Sequence, residues 1–417
     1  MAWEATCANR RRRRVAWAGV SAVKSFQSAV ALALCVGAAC GCGKDLSTGT
    51  PAEGSSPRVP AVGEHGAGGL STKNTTRLGG EDAATDAAAV AVAVYPGLTP
   101  ATRPQAVVLV DEGSWPAALA ASTLAGRPLH APLLYSADGR LPEASERALS
   151  AMGPTGAPEL GGTSAIAIGD APAPAGYESR SLRGASPAAL AVSIEQLASS
   201  LRKRSPDRVI VTSLDGPPAM SMPAAGLAAQ SGAPVLFVHR TQIPPATAEE
   251  LRRLSRPSIY VVGPTGAVDE RVARALGRLG PVTRIDGPDP VSGAIAVARY
   301  GDGAFGWGVV EPGHGLVFAS ARRPLDAPAA AALSASGDYG PLLLVEDPTH
   351  LPPALSAYLS DLQPGTPPSG PVHGVYNHGW LIGGEAAISA SVQAQIDAIL
   401  EISPREAEPE AGVQPEA

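Results

Sequence analysis

Thr76-Arg77-Leu78-Gly79-Gly80-Glu81-Asp82 opens an Ala/Val-rich stretch. The pattern returns as Arg180-Ser181-Leu182-Arg183-Gly184-Ala185-Ser186 and again as Thr283-Arg284-Ile285-Asp286-Gly287-Pro288-Asp289. A unit recurring at a fixed period means that one supersecondary module is repeated. The register holds elsewhere. Ala131-Pro132 is followed by Ala233-Pro234 after 102 residues and by Gly340-Pro341 after a further 107. Leu141-Pro142, Ile243-Pro244 and Leu351-Pro352 keep the same spacing to within one residue. The repeats are therefore read as 76–179, 180–282 and 283–403. Pro/Gly-rich insertions around Thr155–Glu159 and over Gly365–Val372 fall where surface loops are expected.

The second repeat gives the clearest element pattern. Val209–Val211, Val235–Val238 and Ile259–Val262 are short unbroken apolar runs. Met220–Ser231, Pro244–Leu254 and Asp269–Leu279 read as helices, with prolines at the start of one and Gly232 ending another. Strands without polar alternation are covered on both faces, which points to a mostly parallel sheet between helices. The expected fold class is α/β, three tandem three-layer modules.

The ends differ in kind. Residues 1–42 combine the basic run Arg10–Arg14 with an apolar stretch, Ala29–Ala39, too short to span a bilayer. The stretch ends in Gly37-Ala38-Ala39-Cys40-Gly41-Cys42. This resembles a lipoprotein export signal with Cys40 lipidated, which would tether the protein to the membrane. Lipidation at Cys42, a plain signal peptide cut at the Ala-Ala site, and twin-arginine export are the alternatives. Residues 43–75 read as a flexible linker and 404–417 as a disordered acidic tail. All four cysteines lie within the first 42 residues, so the body has neither a disulfide framework nor a cysteine metal site. The expected location is extracytoplasmic: the outer face of the membrane or the cell wall, or secreted.

Charge divides the repeats. The chain carries −6 overall, yet the first and third repeats are acidic and the second is basic. Arg202, Lys203, Arg204 and Arg208 cluster before the second repeat's first strand, and Arg271, Arg274 and Arg278 share a helical face. An acidic body with 4% aromatic residues excludes nucleic acid as partner. Neither a His-Glu-x-x-His helix nor a Gly-x-Ser-x-Gly elbow occurs, and Gly301-Asp302-Gly303 lacks the strand–turn–helix setting of a nucleotide loop. The reading is a non-enzyme without metal or cofactor. Val375–Trp380 is the densest polar and aromatic cluster, read as loop packing with sugar stacking as the alternative.

The repeats resemble the type-2 cell-wall-binding repeat, which occurs in threes in secreted bacterial proteins. The resemblance rests on the opening Arg77…Asp82 and Arg284…Asp289, and on Trp115-Pro116-Ala117-Ala118-Leu119-Ala120-Ala121. It rests also on the Ala-Pro strands and on the turns Val262–Val268 and Ile382–Ile388. It implies three modules about a pseudo-threefold axis, with an anionic wall polymer held near their junctions; the expected partner is a cell-wall polymer, either such a secondary anionic glycopolymer or peptidoglycan. The sequence departs where the family's helix Asp is replaced by Ala117 in the first repeat; the third keeps Asp326. The candidate ligand-binding residues are Arg77, Asp82, Trp115, Arg202, Lys203, Arg204, Arg284, Asp289, Arg322, Arg323 and Asp326. Those after a first strand lie at carboxyl ends, where parallel sheets bind ligands. The alternative function is an envelope-anchored receptor or scaffold for a small ligand or a partner protein.

Overall fold

The computed structural model describes residues 70–335, 339–366 and 375–404. The export segment with Cys40, most of the linker, the greater part of the Gly365–Val372 insertion and the acidic tail beyond Pro404 lie outside them.

Three four-stranded sheets carry the fold, and every strand pair in them is parallel. The first holds β2 (Val107–Asp111), β3 (Leu133–Ser136), β4 (Ala165–Ile168) and β5 (Ser179–Leu182) in the order β3-β2-β4-β5. The second holds β6 (Arg208–Ser213), β7 (Val235–Val238), β8 (Ser258–Val262) and β9 (Val282–Ile285) in the order β7-β6-β8-β9. The third consists of β10 (Gly315–Ser320), β11 (Tyr339–Val345), β13 (His378–Ile382) and β1 (Thr75–Leu78), ordered β1-β13-β10-β11. A two-residue ladder pairs β12 (Gly365–Thr366) with β14 (Ser403–Pro404).

The sheets do not follow the boundaries of the sequence repeat. β5, which opens the second repeat, completes the first sheet, and β9 of the third repeat completes the second. β1 closes the ring: Thr76 pairs with Trp380 and Leu78 with Ile382, some 300 residues on. The ordered body also starts before Thr76. The Asn74 backbone N–H donates to Asp397 Oδ1 (2.7 Å) and its side-chain amide to Glu401 Oε2 (3.1 Å).

The expected strands of the second repeat are all present, and β7 has the bounds read from sequence. The repeat-opening strands were not legible as strands. They are four-residue edge strands, and Ser179–Arg180–Ser181 is exposed, so they show no apolar run.

Helices cover both faces of each sheet. They are α1 (Ala83–Val94), α2 (Trp115–Ala121) and α3 (Glu143–Met152) in the first repeat, then α4 (Pro187–Arg202), α5 (Ala224–Ser231), α6 (Pro245–Arg253) and α7 (Glu270–Leu276) in the second. The third contributes α8 (Pro290–Arg299), α9 (Asp326–Ala329), α10 (Ala331–Ser334), α11 (Pro353–Asp361) and α12 (Ala390–Ile399). The helix read over Met220–Ser231 is a 3₁₀ turn, Pro218–Met220, followed by α5.

The modules meet where one small residue from each touches the others: Ala125 after α2, Ala229 of α5 and Ala331 of α10. This is the pseudo-threefold axis. Glycines let backbones approach there. A Cβ on Gly126 would lie 2.2 Å from the Ala229 carbonyl oxygen, and one on Gly226 would lie 2.8 Å from Ser334 Oγ. One continuous apolar core runs through all three modules. Alanine at the axis provides close helix contact with little side-chain entropy to lose.

Candidate functional site

The residues that identify the repeat build the scaffold. Arg77 is 6% exposed and donates to the carbonyls of Gly383 (2.8 Å), Gly384 (2.9 Å) and Ile388 (2.6 Å) and to Gln393 Oε1 (3.1 Å). Arg284 repeats this one module back, donating to the carbonyls of Gly263 and Val268 (both 2.9 Å) and to Glu270 (3.0 Å). Each arginine fastens the turn after its neighbouring strand, so its donors are not free for a ligand. Burial is the main reason the Arg77 guanidinium is held below its ordinary range.

The opening Asp is a helix cap. Asp82 accepts from the Thr85 N–H (2.8 Å), Asp289 from the Ser292 N–H (2.7 Å) and Ser186 from the Ala189 N–H (3.2 Å). Serine caps a helix about as well as aspartate, so Ser186 preserves the function of the repeat position.

Four candidates do converge. Asp82, Trp115, Arg323 and Asp326 line one open pocket of about 410 Å³, together with Glu81, Ala83, Glu112, Gly113, Pro324 and Leu325. Its walls are the loops following β1, β2 and β10. β2 and β10 are each the strand from which the chain crosses to both sides of its sheet, the switch point where open α/β sheets bind ligands. Trp115 also packs edge-on against Phe237 of the second module, with centroids 6.0 Å apart. The pocket thus lies at the junction of the modules.

Its electrostatics are acidic. Arg323 is the pocket's one cation, and it is already engaged. It pairs with Asp86, its Nε lies 3.1 Å from Asp326 Oδ2, and its Nη1 donates to the Glu81 carbonyl (3.3 Å). Asp86 and Asp326 are both fully buried. Burial pushes the Asp86 carboxyl up to about 6, despite the Gly80 N–H that donates to it at 2.6 Å. Asp326 is raised as well, by burial and then by Asp86. Glu112 is raised by partial burial, then by Asp111, Asp138 and Asp82. Sequence reasoning missed Asp86. Its signal was a lone carboxylate inside Ala83–Val94, an otherwise apolar and Thr-containing helix.

The remaining candidates lie apart. Arg202 is half-buried at the end of α4, donates to the Gly232 carbonyl (2.5 Å) and has one buried nitrogen without a partner; burial lowers it from its ordinary range. Lys203, in left-handed backbone (φ 55°), caps α4 and is exposed, as are Arg204 and Arg322. In the Val375–Trp380 cluster, Asn377 is buried and accepts from the Gly313 (2.8 Å) and His314 (3.1 Å) N–H groups while donating to Leu362 (2.7 Å). His378, Gly379 and Trp380 are not loop, as the sequence suggested, but the first residues of β13, where His378 packs edge-on against Trp380. Among the described residues no group of His, Cys, Asp and Glu is arranged to hold a metal ion. No helix among them is long and apolar enough to cross a membrane.

Two solved structures share the fold: Cwp6 from Clostridium difficile (TM-score 0.64, 15% identity, 78% of this chain and 48% of that one) and Cwp8 from the same organism (TM-score 0.59, 18% identity, 79% and 52%). The chain therefore spans about half the length of the structures it matches. No curated protein matches it significantly. The family model for cell wall binding domain 2 matches residues 182–273 and 284–393. Over those two stretches, in its second and third modules, the chain matches the cell wall binding domain 2 repeat.

Proposed function

We propose that this chain is a non-catalytic protein of the cell envelope that holds a wall polymer in the pocket between its first and third modules. The repeat matched over the second and third modules is a cell wall binding domain, and Cwp6 and Cwp8 share the fold. The observation that carries the reading is the convergence of Trp115, Glu112, Asp82 and Glu81 on one pocket at two switch points. An indole beside several hydrogen-bond acceptors suits a saccharide, whose rings have apolar faces and whose hydroxyls donate.

The pocket itself favours hydroxyl- or amine-bearing sugars over the anionic group that the resemblance implied. Its lining carboxylates repel an anion, and its only guanidinium is neutralised by two buried aspartates. A lipid tether through Cys40 and an extracytoplasmic location accompany this reading.

Co-sedimentation with purified cell walls tests it. The wild-type chain should pellet with walls, and Glu112→Gln, an exposed substitution, should weaken binding several-fold. Lys203→Glu with Arg204→Glu should have a smaller effect. If the wild-type chain stays in the supernatant, or if only a soluble low-molecular-weight wall fraction competes, the small-ligand receptor reading replaces this one.

A further inference from the structure

Three helix-to-strand links of the second module stand side by side. Residues 203–207 lead from α4 into β6, 254–257 from α6 into β8, and 277–281 from α7 into β9. These strands are parallel and neighbours in the order β6-β8-β9, so all three links lie at the amino edge of the sheet. Adjacent strands are about 4.8 Å apart, which brings the links together. The Arg256 guanidinium donates to the Arg278 carbonyl at 3.4 Å.

The links hold Lys203, Arg204, Arg256 and Arg278, all exposed, against one carboxylate, Asp207, which sits 3.6 Å from Arg208. Arg252 and Arg274 add exposed cations in the last turns of α6 and α7. The matching links of the first module, 95–106 and 153–164, hold one arginine and one glutamate. A cation at a helix carboxyl end complements the dipole of that helix. Crowding more of them at one edge costs self-repulsion, which an anionic partner would remove.

The edge continues into an apolar patch. Arg208 shares a cavity of about 460 Å³ with the third-module loop 301–308, and Tyr260 of β8 donates to Asp302 of that loop (2.8 Å). The loop leads to Val310, ahead of β10, while Val375 and Tyr376 precede β13, the neighbour of β10. The two segments are tied by Asn377, which accepts from the Gly313 and His314 N–H groups, and a Cβ on Gly313 would lie 2.7 Å from Val375 Cγ1. Val310, Val375 and Tyr376 are three of the five large apolar side chains that stay exposed among the described residues. Asp302 and Glu311 are the carboxylates of this stretch and leave the cations in excess.

We infer that this edge docks the protein on an anionic lipid membrane, with the second module's cations against headgroup phosphates and Val310, Val375 and Tyr376 in the interfacial layer. A hydrophilic polyanion would satisfy the cations and leave the apolar side chains in water. A membrane takes both, and tyrosine is enriched where membranes meet water. The edge lies at the opposite end of β10 from the pocket beside Arg323, so the two surfaces do not compete. The inference requires neither a polymer in that pocket nor a lipid on Cys40.

Flotation of the full, unlipidated chain with vesicles tests it. Equimolar phosphatidylglycerol and phosphatidylcholine should carry the chain up the gradient, phosphatidylcholine alone should not, and high salt should release it. Arg204→Gln with Arg278→Gln should weaken binding about twentyfold, at about fivefold for each cation near an anionic surface. Arg140→Gln with Arg147→Gln, two exposed arginines of the first module, should leave it unchanged. Val310→Ser with Tyr376→Ser should weaken it several-fold at constant charge. The inference is overturned if the anionic vesicles do not carry the chain, if phosphatidylcholine alone carries it as well, or if the folded Arg204→Gln, Arg278→Gln variant floats like wild type. It is overturned equally if the Val310→Ser, Tyr376→Ser variant floats like wild type, which would assign the edge to a hydrophilic polyanion.

Discussion

Arg77 and Asp82 show how a repeat signature can mark architecture. Asp82, Ser186 and Asp289 each satisfy a backbone N–H that a helix start would leave open. Ser186→Ala should therefore cost about 1 kcal/mol, close to the loss from Asp82→Ala, measured by urea unfolding. Arg77→Met should cost more, on the order of 3 kcal/mol, because it orphans three backbone carbonyls. A ligand role for Arg77 would instead leave stability unchanged and reduce wall binding. The repeat spacing identified these positions, but their roles were not legible. A lone Arg or Asp in sequence carries no record of which backbone groups it will meet.

At the scale of elements, α4 and α6 are joined by a buried acidic pair. Glu195 and Glu250 are almost fully buried, and Arg253 reaches both, with its Nη2 2.7 Å from Glu195 Oε2. Burial, then the neighbouring Glu250, pushes the Glu195 carboxyl up to about 7. Folded Glu195 keeps its proton to about pH 7, while the unfolded side chain loses it near its ordinary value of 4.5. Between those values the unfolded state binds fewer protons, so stability falls as pH rises. Glu195→Gln should flatten that decline, by about 2 kcal/mol over the window, in denaturation curves from pH 4.5 to 8. A decline as steep as in wild type would show that another group is responsible. Element type was largely legible in sequence. β6, β7 and β8 were, because a strand buried on both faces is an unbroken apolar run. β1, β5 and β9 were not: they are four-residue strands that carry Thr, Arg and Ser in place of an apolar run, and most positions of β5 and β9 are only partly covered.

For the whole molecule, the closing junction rests on Arg323. It joins the third module to Asp86 in α1 of the first, with Asp326 beside it. Removing the cation would leave two buried carboxylates facing each other, an error worth about 3–5 kcal/mol when a buried pair loses one partner. Arg323→Met should therefore destabilise most at pH 8, above the value of about 6 for Asp86, whose charge the guanidinium then no longer balances. It should cost much less at pH 5, below the value of about 6 for Asp86, where protonation removes the repulsion. Thermal unfolding at the two pH values checks this, and an equal loss at both would exclude the carboxyl pair as its cause. The β1–β13 pairing closes the same junction, so hydrogen exchange in His378–Ile382 should rise in that variant.

By itself the sequence determined the threefold repeat, the parallel α/β class and the acid–base division between modules. These follow from local composition and from period, which are written along the chain. The tertiary structure decided which strands complete which sheet, that the opening Arg and Asp are staples and caps, and that Asp82, Trp115, Arg323 and Asp326 share a pocket. It also decided that Arg208 faces a glycine-rich loop about a hundred residues away. Such contacts depend on how three modules close around an axis of alanines, and no local pattern encodes that closure.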